Sequence, residues 1–131
     1  MLDTDVCVDL LRGRAAGLFA RLRRRAPEEV AISTITLAEL QYGAMKSSRP
    51  ARHLALLARF CAPLALAPFD DGAAEAYGRI RADLERAGTP IGPLDTLIAA
   101  HALSLGAALL TTNRREFRRV FGLVVRSPTD E

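Results

Sequence analysis

Four carboxylates in this chain stand where an apolar run stops or a helix opens. Asp3 follows Met1-Leu2 and precedes Thr4-Asp5, and Glu39 closes Ile35-Thr36-Leu37-Ala38-Glu39. Asp95 closes Gly92-Pro93-Leu94-Asp95, and Glu116 lies within Thr112-Asn113-Arg114-Arg115-Glu116-Phe117. In an alternating α/β chain such boundaries gather along one edge of the sheet, where these proteins bind ligands. Carboxylates converging there make an oxygen-lined site for a hard divalent cation such as Mg²⁺. A site of that kind suits hydrolysis of a phosphodiester.

Each acid also has a local alternative. Asp3 or Asp5 can cap the helix that follows. Thr36-Leu37-Ala38-Glu39 has the spacing of a capping box, in which Glu39 would satisfy the backbone amide of the N-cap residue. Yet Leu37, Ala38 and Leu40 around it are apolar, and a carboxylate buried there needs a partner. Asp95 is favoured near a helix start by the macrodipole, and Gly92-Pro93 before it makes a tight turn that aims the side chain. Asn113 and Glu116 repeat the capping-box spacing, a role compatible with either residue also facing the acidic edge. His53 and His101 are lone histidines on helices and read as structural. Arg114, Arg115, Arg118 and Arg119 share a segment with Glu116 and could grip phosphates beside it.

The elements that must place these residues alternate. Met1 to Thr4 reads as a very short strand, and an apolar stretch follows to Leu11. A basic helix is expected from Ala15 to Ala26, with Leu18, Phe19 and Leu22 on one face and Arg21, Arg23, Arg24 and Arg25 on the other. Val30 to Ser33 reads as a strand, Thr36 to about Lys46 as a helix, and Pro50 to about Cys61 as a helix with Leu54, Leu57 and Phe60 inward. Leu64 to Ala67 is a strand and Gly72 to Ala87 a long helix with Ala76, Ile80 and Leu84 inward. Leu94 to Leu105 is an apolar helix ended by Gly106. Ala107 to Leu110 is a buried strand, Asn113 opens a short helix to about Phe121, and Leu123 to Val125 is the last strand. This order predicts an α/β fold around a mainly parallel sheet.

The chain has 131 residues, enough for one domain, 1–131, with its own core. Half of the residues are hydrophobic but only 5% aromatic, so Ala and Leu must fill the interior. The net charge is +3 and the pI about 9.4, carried almost wholly by Arg, since Lys46 is the only Lys. Arg contacts phosphate in a bidentate way, so this balance fits a nucleic-acid partner as well as it fits plain solubility. Cys7 and Cys61 have no metal spacing and read as packed thiols, which points to a reducing compartment. No apolar run is long enough to span a membrane, and Asp3 and Asp5 interrupt any leader, so a cytoplasmic protein is expected.

Taken together, four segments resemble the PIN-domain ribonucleases, specifically the VapC-type toxins of bacterial toxin–antitoxin pairs. They are Leu2 to Val6, Ile32 to Gly43, Ile91 to Ala102 and Leu110 to Phe117, in order and over essentially the whole chain. The resemblance implies a PIN-like three-layer α/β/α fold with a mainly parallel central sheet of about four to five short strands. It implies Asp3, Glu39 and Asp95 as core metal ligands and catalytic residues, with Glu116 completing the set. Asn113 and Thr112 would support them, and Arg114 and Arg115 would contact RNA. Mg²⁺ or Mn²⁺ would be the cofactor and a structured RNA, such as a tRNA or rRNA loop, the substrate. A small antitoxin would seat a segment in the active-site groove, with Thr36 to Cys61 the candidate surface, and the toxin would pair as a homodimer. Two departures stand out. Asp5 occupies a position that is usually Asn in such chains, so an extra carboxylate would support the site by a contact or raise a neighbour's pKa. Only two residues precede Asp3, where the first strand is often longer, so that a missing residue or two would weaken its anchoring. Two rival readings are a haloacid-dehalogenase-like phosphatase with Asp3 as nucleophile, which wants a catalytic Lys, and a non-catalytic domain that binds RNA or a partner.

Overall fold

The N-terminal residues are woven into the middle of the protein rather than left at its margin. In the computed structural model, which describes residues 1–129 (Pro27 through its backbone alone), the Leu2 N–H donates to Ala31 O and the Asp3 N–H to Leu110 O, both at 2.9 Å. The Leu110 N–H returns a bond to Met1 O at 2.9 Å, and the Met1 amino group donates to Ala108 O at 2.7 Å. Residues 1–3 therefore bridge two parallel strand pairs. On one side β1 (Ala31–Ser33) pairs with β2 (Ala65–Ala67), Ile32 facing Leu66. On the other β3 (Leu109–Leu110) pairs with β4 (Val125–Arg126). The lateral order is β2, β1, residues 1–3, β3, β4, and every pairing among the described residues is parallel. This short stretch anchors Asp3 because it is bonded on both sides.

Seven helices cover this sheet among the described residues: α1 (Thr4–Leu11), α2 (Ala16–Leu22), α3 (Thr34–Met45), α4 (Pro50–Cys61), α5 (Asp71–Arg86), α6 (Pro93–Ser104) and α7 (Arg114–Phe117). Successive strand side chains point to opposite faces, and here they feed two cores. Met1 and Leu109 join Ile80, Leu84, Ile98 and Phe117 on the α5–α6–α7 side. Leu2 and Ile32 join Val6, Cys7, Leu40 and Leu57 on the α1–α4 side. The result is the expected α/β/α layering. Leu57 is buried as predicted, whereas Leu54 and Phe60 are only partly covered. Cys7 and Cys61 are free thiols, the first buried. None of the helices is long and apolar enough to cross a membrane.

Three helix boundaries differ from the sequence reading, each for a local reason. The basic helix α2 stops at Leu22, not Ala26. After Leu22 the chain continues in i→i+3 turns, Arg24 N–H to Arg21 O and Arg25 N–H to Leu22 O, and Pro27 disfavours helical geometry in Ala26 before it. Helix α7 ends at Phe117 instead of near Phe121, because the chain must turn at Gly122, which adopts φ 86°. Helix α3 opens at Thr34, two residues early, because the Ser33 hydroxyl accepts the Ile35 N–H at 3.0 Å and acts as its cap. That last difference decides what Glu39 can do.

Candidate metal-binding active site

With Ser33 as N-cap, Thr36 and Glu39 lie inside α3 and form no capping box. Thr36 is fully buried and its Oγ1 lies 3.2 Å from Thr4 Oγ1. The Thr4 hydroxyl donates to Glu39 Oε1 at 2.8 Å. The Glu39 carboxylate is therefore aimed by a side chain from α1, across 35 residues of sequence, and not spent on the backbone of its own helix. The second capping box is also absent. Asn113 is the N-cap of α7 but makes no side-chain bond to the helix backbone; its Nδ2 donates to Glu116 Oε2 at 3.1 Å.

Asp3 is both a cap and a buried acid. Its Oδ1 accepts the Thr4 N–H at 2.8 Å, opening α1, and its Oδ2 accepts the Thr111 hydroxyl at 2.7 Å. It is only 4% exposed. Burial pushes its carboxyl up to about 7, and the nearby Asp5 pushes the same way, against the Thr111 and Thr4 hydrogen bonds that favour the charged form. Thr111 Oγ1 also accepts the Asn113 N–H at 2.9 Å, so one hydroxyl links Asp3 to the loop that holds Glu116. Asp5 does something separate. Its Oδ2 accepts both the hydroxyl and the N–H of Thr112, tying the start of α1 to the end of β3.

Asp95 is the third residue of α6, whose N-cap is Gly92 with Pro93 at the first position. Thr96 Oγ1 donates to Gly92 O at 2.8 Å, and a Cβ on Gly92 would sit 3.6 Å from Asp95 Oδ2. The tight turn thus lies against the carboxylate it presents. Burial raises the Asp95 carboxyl above its ordinary value, and the charges of Glu116, Glu39 and Asp5 add to the rise. Asp95 is near a helix N-terminus, which favours an anion, so the opposing push of three other acids is the more telling fact. These four side chains share one electrostatic field at the C-terminal edge of the central strands. Among the described residues, no three carboxylate, histidine or cysteine side chains converge into a ready-made metal cage. The arrangement is an open acidic edge, with oxygen donors only.

Sequence reasoning named Thr112 as the supporting polar residue, but the buried hydroxyl on Asp3 belongs to Thr111, and Thr112 serves Asp5. Thr4 and Thr36 were also missed. The signal for Thr111 was the strand register: Leu2 bridges Leu110, which sets the next residues, Asp3 and Thr111, side by side. Arg114 is half-buried and Arg115 exposed; Arg119 Nη1 donates to Pro90 O at 3.0 Å. His101 is structural. It is fully buried, its Nδ1 is 2.8 Å from the Ser33 hydroxyl, and Phe69 meets its ring edge-on at 5.4 Å. Lys46 lies two turns beyond Glu39, at the C-cap of α3, about 10 Å along the helix axis. The lysine that a haloacid-dehalogenase-type site wants beside its nucleophilic Asp is thus not on the elements that hold Asp3.

An α/β protein with a short parallel sheet and acids from strand end, helix interior and helix start along one edge belongs to a nuclease-like class. The family model described as "PIN domain" matches residues 1–123. The chain belongs to the PIN-domain family, in its VapC branch. It is 42% identical to the tRNA(fMet)-specific endonuclease VapC of Shigella flexneri over 123 residues, 94% of this chain and 92% of that protein. Its fold matches the DNA-bound VapBC of Salmonella typhimurium with a TM-score of 0.93 at 41% identity, covering 98% of this chain and 96% of the other. It also matches VapBC-5 of Mycobacterium tuberculosis, a member of the VapBC family of toxin–antitoxin systems, with a TM-score of 0.63 at 31% identity over 75% and 79% of the two chains.

Proposed function

We propose that this chain is a metal-dependent endoribonuclease that acts as the toxin of a toxin–antitoxin pair. The observation that carries the site assignment is the shared field of Asp95, Glu116, Glu39 and Asp5 beside the buried Asp3. Oxygen-only donors under mutual repulsion fit a hard divalent cation, Mg²⁺ or Mn²⁺. Asp3, Glu39, Asp95 and Glu116 would hold it. When bound, the cation would polarise the scissile phosphate and ease deprotonation of a water.

The remaining work falls to this chain's own groups. Thr111 and the Thr4 N–H fix both oxygens of Asp3, and the Thr4 hydroxyl fixes one oxygen of Glu39. Asn113 holds Glu116, and Asp5 fastens Thr112 so that the Asn113 loop keeps its place. Fixed carboxylates cost little reorganisation during reaction. The exposed Arg115, with Arg114 beside it, would take RNA phosphates at the rim. A structured RNA with an unpaired loop is the substrate class, and the VapC similarity makes the initiator tRNA the first to test. Such a substrate sets the place of action in the cytoplasm.

The protein partner would be a small antitoxin, as in the VapBC pairs this fold matches. Helices α3 and α4 border the acidic edge and would receive its inhibitory segment. A strongly apolar cavity of about 400 Å³ beside α4 is lined by Phe19, Leu22 and Phe60 and rimmed by Arg23 and Arg59. It suits the apolar face of an acidic partner helix. A homodimer is proposed as the toxin's own state, to be read by light scattering.

The test is cleavage of purified initiator tRNA, bulk tRNA and ribosomal RNA with Mg²⁺ or Mn²⁺ and then with EDTA, for the parent and Asp95→Asn. Metal-dependent cleavage by the parent alone is expected. Cleavage by Asp95→Asn at the parent's rate, or none by either protein, sinks the assignment.

A further inference from the structure

A cavity of about 430 Å³ lies between α1, α3 and α4, and it opens onto the acidic edge because Thr4 and Glu39 form one of its walls. Its apolar lining includes Val8, Leu40 and Leu57. Its other polar residues are Arg12, Lys46 and His53, all exposed, and the half-buried Ser47, whose hydroxyl donates to Ala44 O at 2.6 Å. Lys46 is the only Lys of the chain, and its Nζ is set 5.1 Å from the centre of the exposed Tyr42 ring. One concavity thus joins three features: an end shared with the proposed metal ligand Glu39, an apolar wall, and the cationic Lys46 about 10 Å along α3 from Glu39.

We propose that this cavity is a nucleotide subsite of the RNA substrate, which holds an unpaired nucleoside next to the scissile phosphate while Lys46 and Arg12 take the following phosphate. The inference rests on the ribonuclease reading above and adds where and how the substrate is held. A volume of this size matches a site for one small ligand. Single-stranded RNA is bound by pairing such surfaces, an apolar or aromatic face for the base and a cationic track for the backbone. Charge complementarity selects the occupant. A strand whose scissile phosphate lies at the acidic edge carries its next phosphate toward cations, and the apolar wall between them can meet only the base. An unpaired base held there would contribute sequence choice, which a rim of arginines alone cannot supply.

Gly43 supplies the cleanest test. It lines the cavity on α3, and a Cβ placed on it meets nothing within 4 Å. Leu is a better helix former than Gly, so Gly43→Leu fills the cavity without weakening the helix. KM and kcat on tRNA, Mn²⁺ binding by calorimetry and the melting temperature are measured for the parent, Gly43→Leu and Lys46→Ala. The expected result for Gly43→Leu is a KM raised about tenfold or more with kcat little changed, since ground-state binding is what is lost. Mn²⁺ affinity stays at the parent's value and the melting temperature does not fall. For Lys46→Ala, RNA binding in EDTA should lose about 0.7 from the slope of log affinity against log salt, the signature of one phosphate contact on a single strand. An unchanged KM in Gly43→Leu, or an unchanged salt slope in Lys46→Ala, overturns the subsite. So does a Gly43→Leu protein that escapes its co-expressed inhibitor yet keeps the parent's KM, because the cavity then serves a protein segment. A parent that cleaves no RNA with either metal is a different outcome: the ribonuclease reading itself fails.

Discussion

Replacing Asp3 by Asn should abolish cleavage and at the same time make the metal-free protein more stable. Asp3 is 4% exposed, and its carboxyl rises from 3.8 to about 7 on folding, chiefly through burial. A folded-state value above the unfolded one means that between these pH values the folded protein holds a proton the unfolded chain has released. Stability therefore falls as pH rises from 3.8 to about 7 and is level above that. At ~1.4 kcal/mol per pH unit, ionised Asp3 costs about 4 kcal/mol at pH 8 but under about 2 kcal/mol at pH 5. Asn carries no such cost. It caps a helix as well as Asp does, and its amide can donate to Thr111 Oγ1. The Thr111 hydroxyl then loses its acceptor, at about 1 kcal/mol. The net gain is about 3 kcal/mol at pH 8 and close to nothing at pH 5. With unfolding entropy of about 2.1 cal/mol/K per residue, that is a melting temperature roughly 10 °C higher at pH 8. Thermal unfolding in EDTA across pH 5 to 8 is the assay, repeated with Mg²⁺, which should stabilise the parent more than Asp3→Asn. Equal melting temperatures throughout, or an Asp3→Asn protein less stable at pH 8, would refute the reasoning that Asp3 is a buried charge waiting for a cation.

Three further outcomes are expected. Thr4→Val removes the donor to Glu39 and should weaken Mn²⁺ binding about tenfold, with Thr4→Ser restoring it; calorimetry showing equal affinity for all three would end that role. His101→Leu loses the contact to the capping Ser33 and should cost roughly 1–3 kcal/mol in urea unfolding while leaving kcat unchanged. A large fall in kcat at full folding would instead make His101 part of the chemistry. Cys61, half-buried, should react with a thiol reagent before Cys7, whose thiol is fully buried and pushed far up by burial; Cys7 should label only in denaturant, and labelling of both at one rate would contradict the packing.

The sequence by itself determined the periodic and punctuated parts of this protein. Apolar stripes placed α4, α5 and α6 within a residue or so of where they lie, with Pro50 and Pro93 at their first turns and Gly106 at φ 63° past the end of α6. These are local effects, fixed by backbone geometry and side-chain spacing, so they can be read without the fold. The acidic positions of the proposed site were legible too, because their places at element boundaries follow from the same punctuation. What the tertiary structure decided was which polar group each acid meets. Glu39 had the spacing of a capping box as well as a site for a partnered carboxylate, but Ser33 caps the helix, and Thr4 from another helix takes the carboxylate. Thr111 and Thr112 are neighbours of one type, yet the first serves Asp3 and the second Asp5, because strand side chains alternate and residues 1–3 sit against β3. Strand order is a global property: it depends on which apolar faces bury each other across the whole chain, and no local pattern encodes it. The same holds for the charge on Asp3 and Asp95, since burial and the approach of distant carboxylates exist only once the two cores have closed on the sheet.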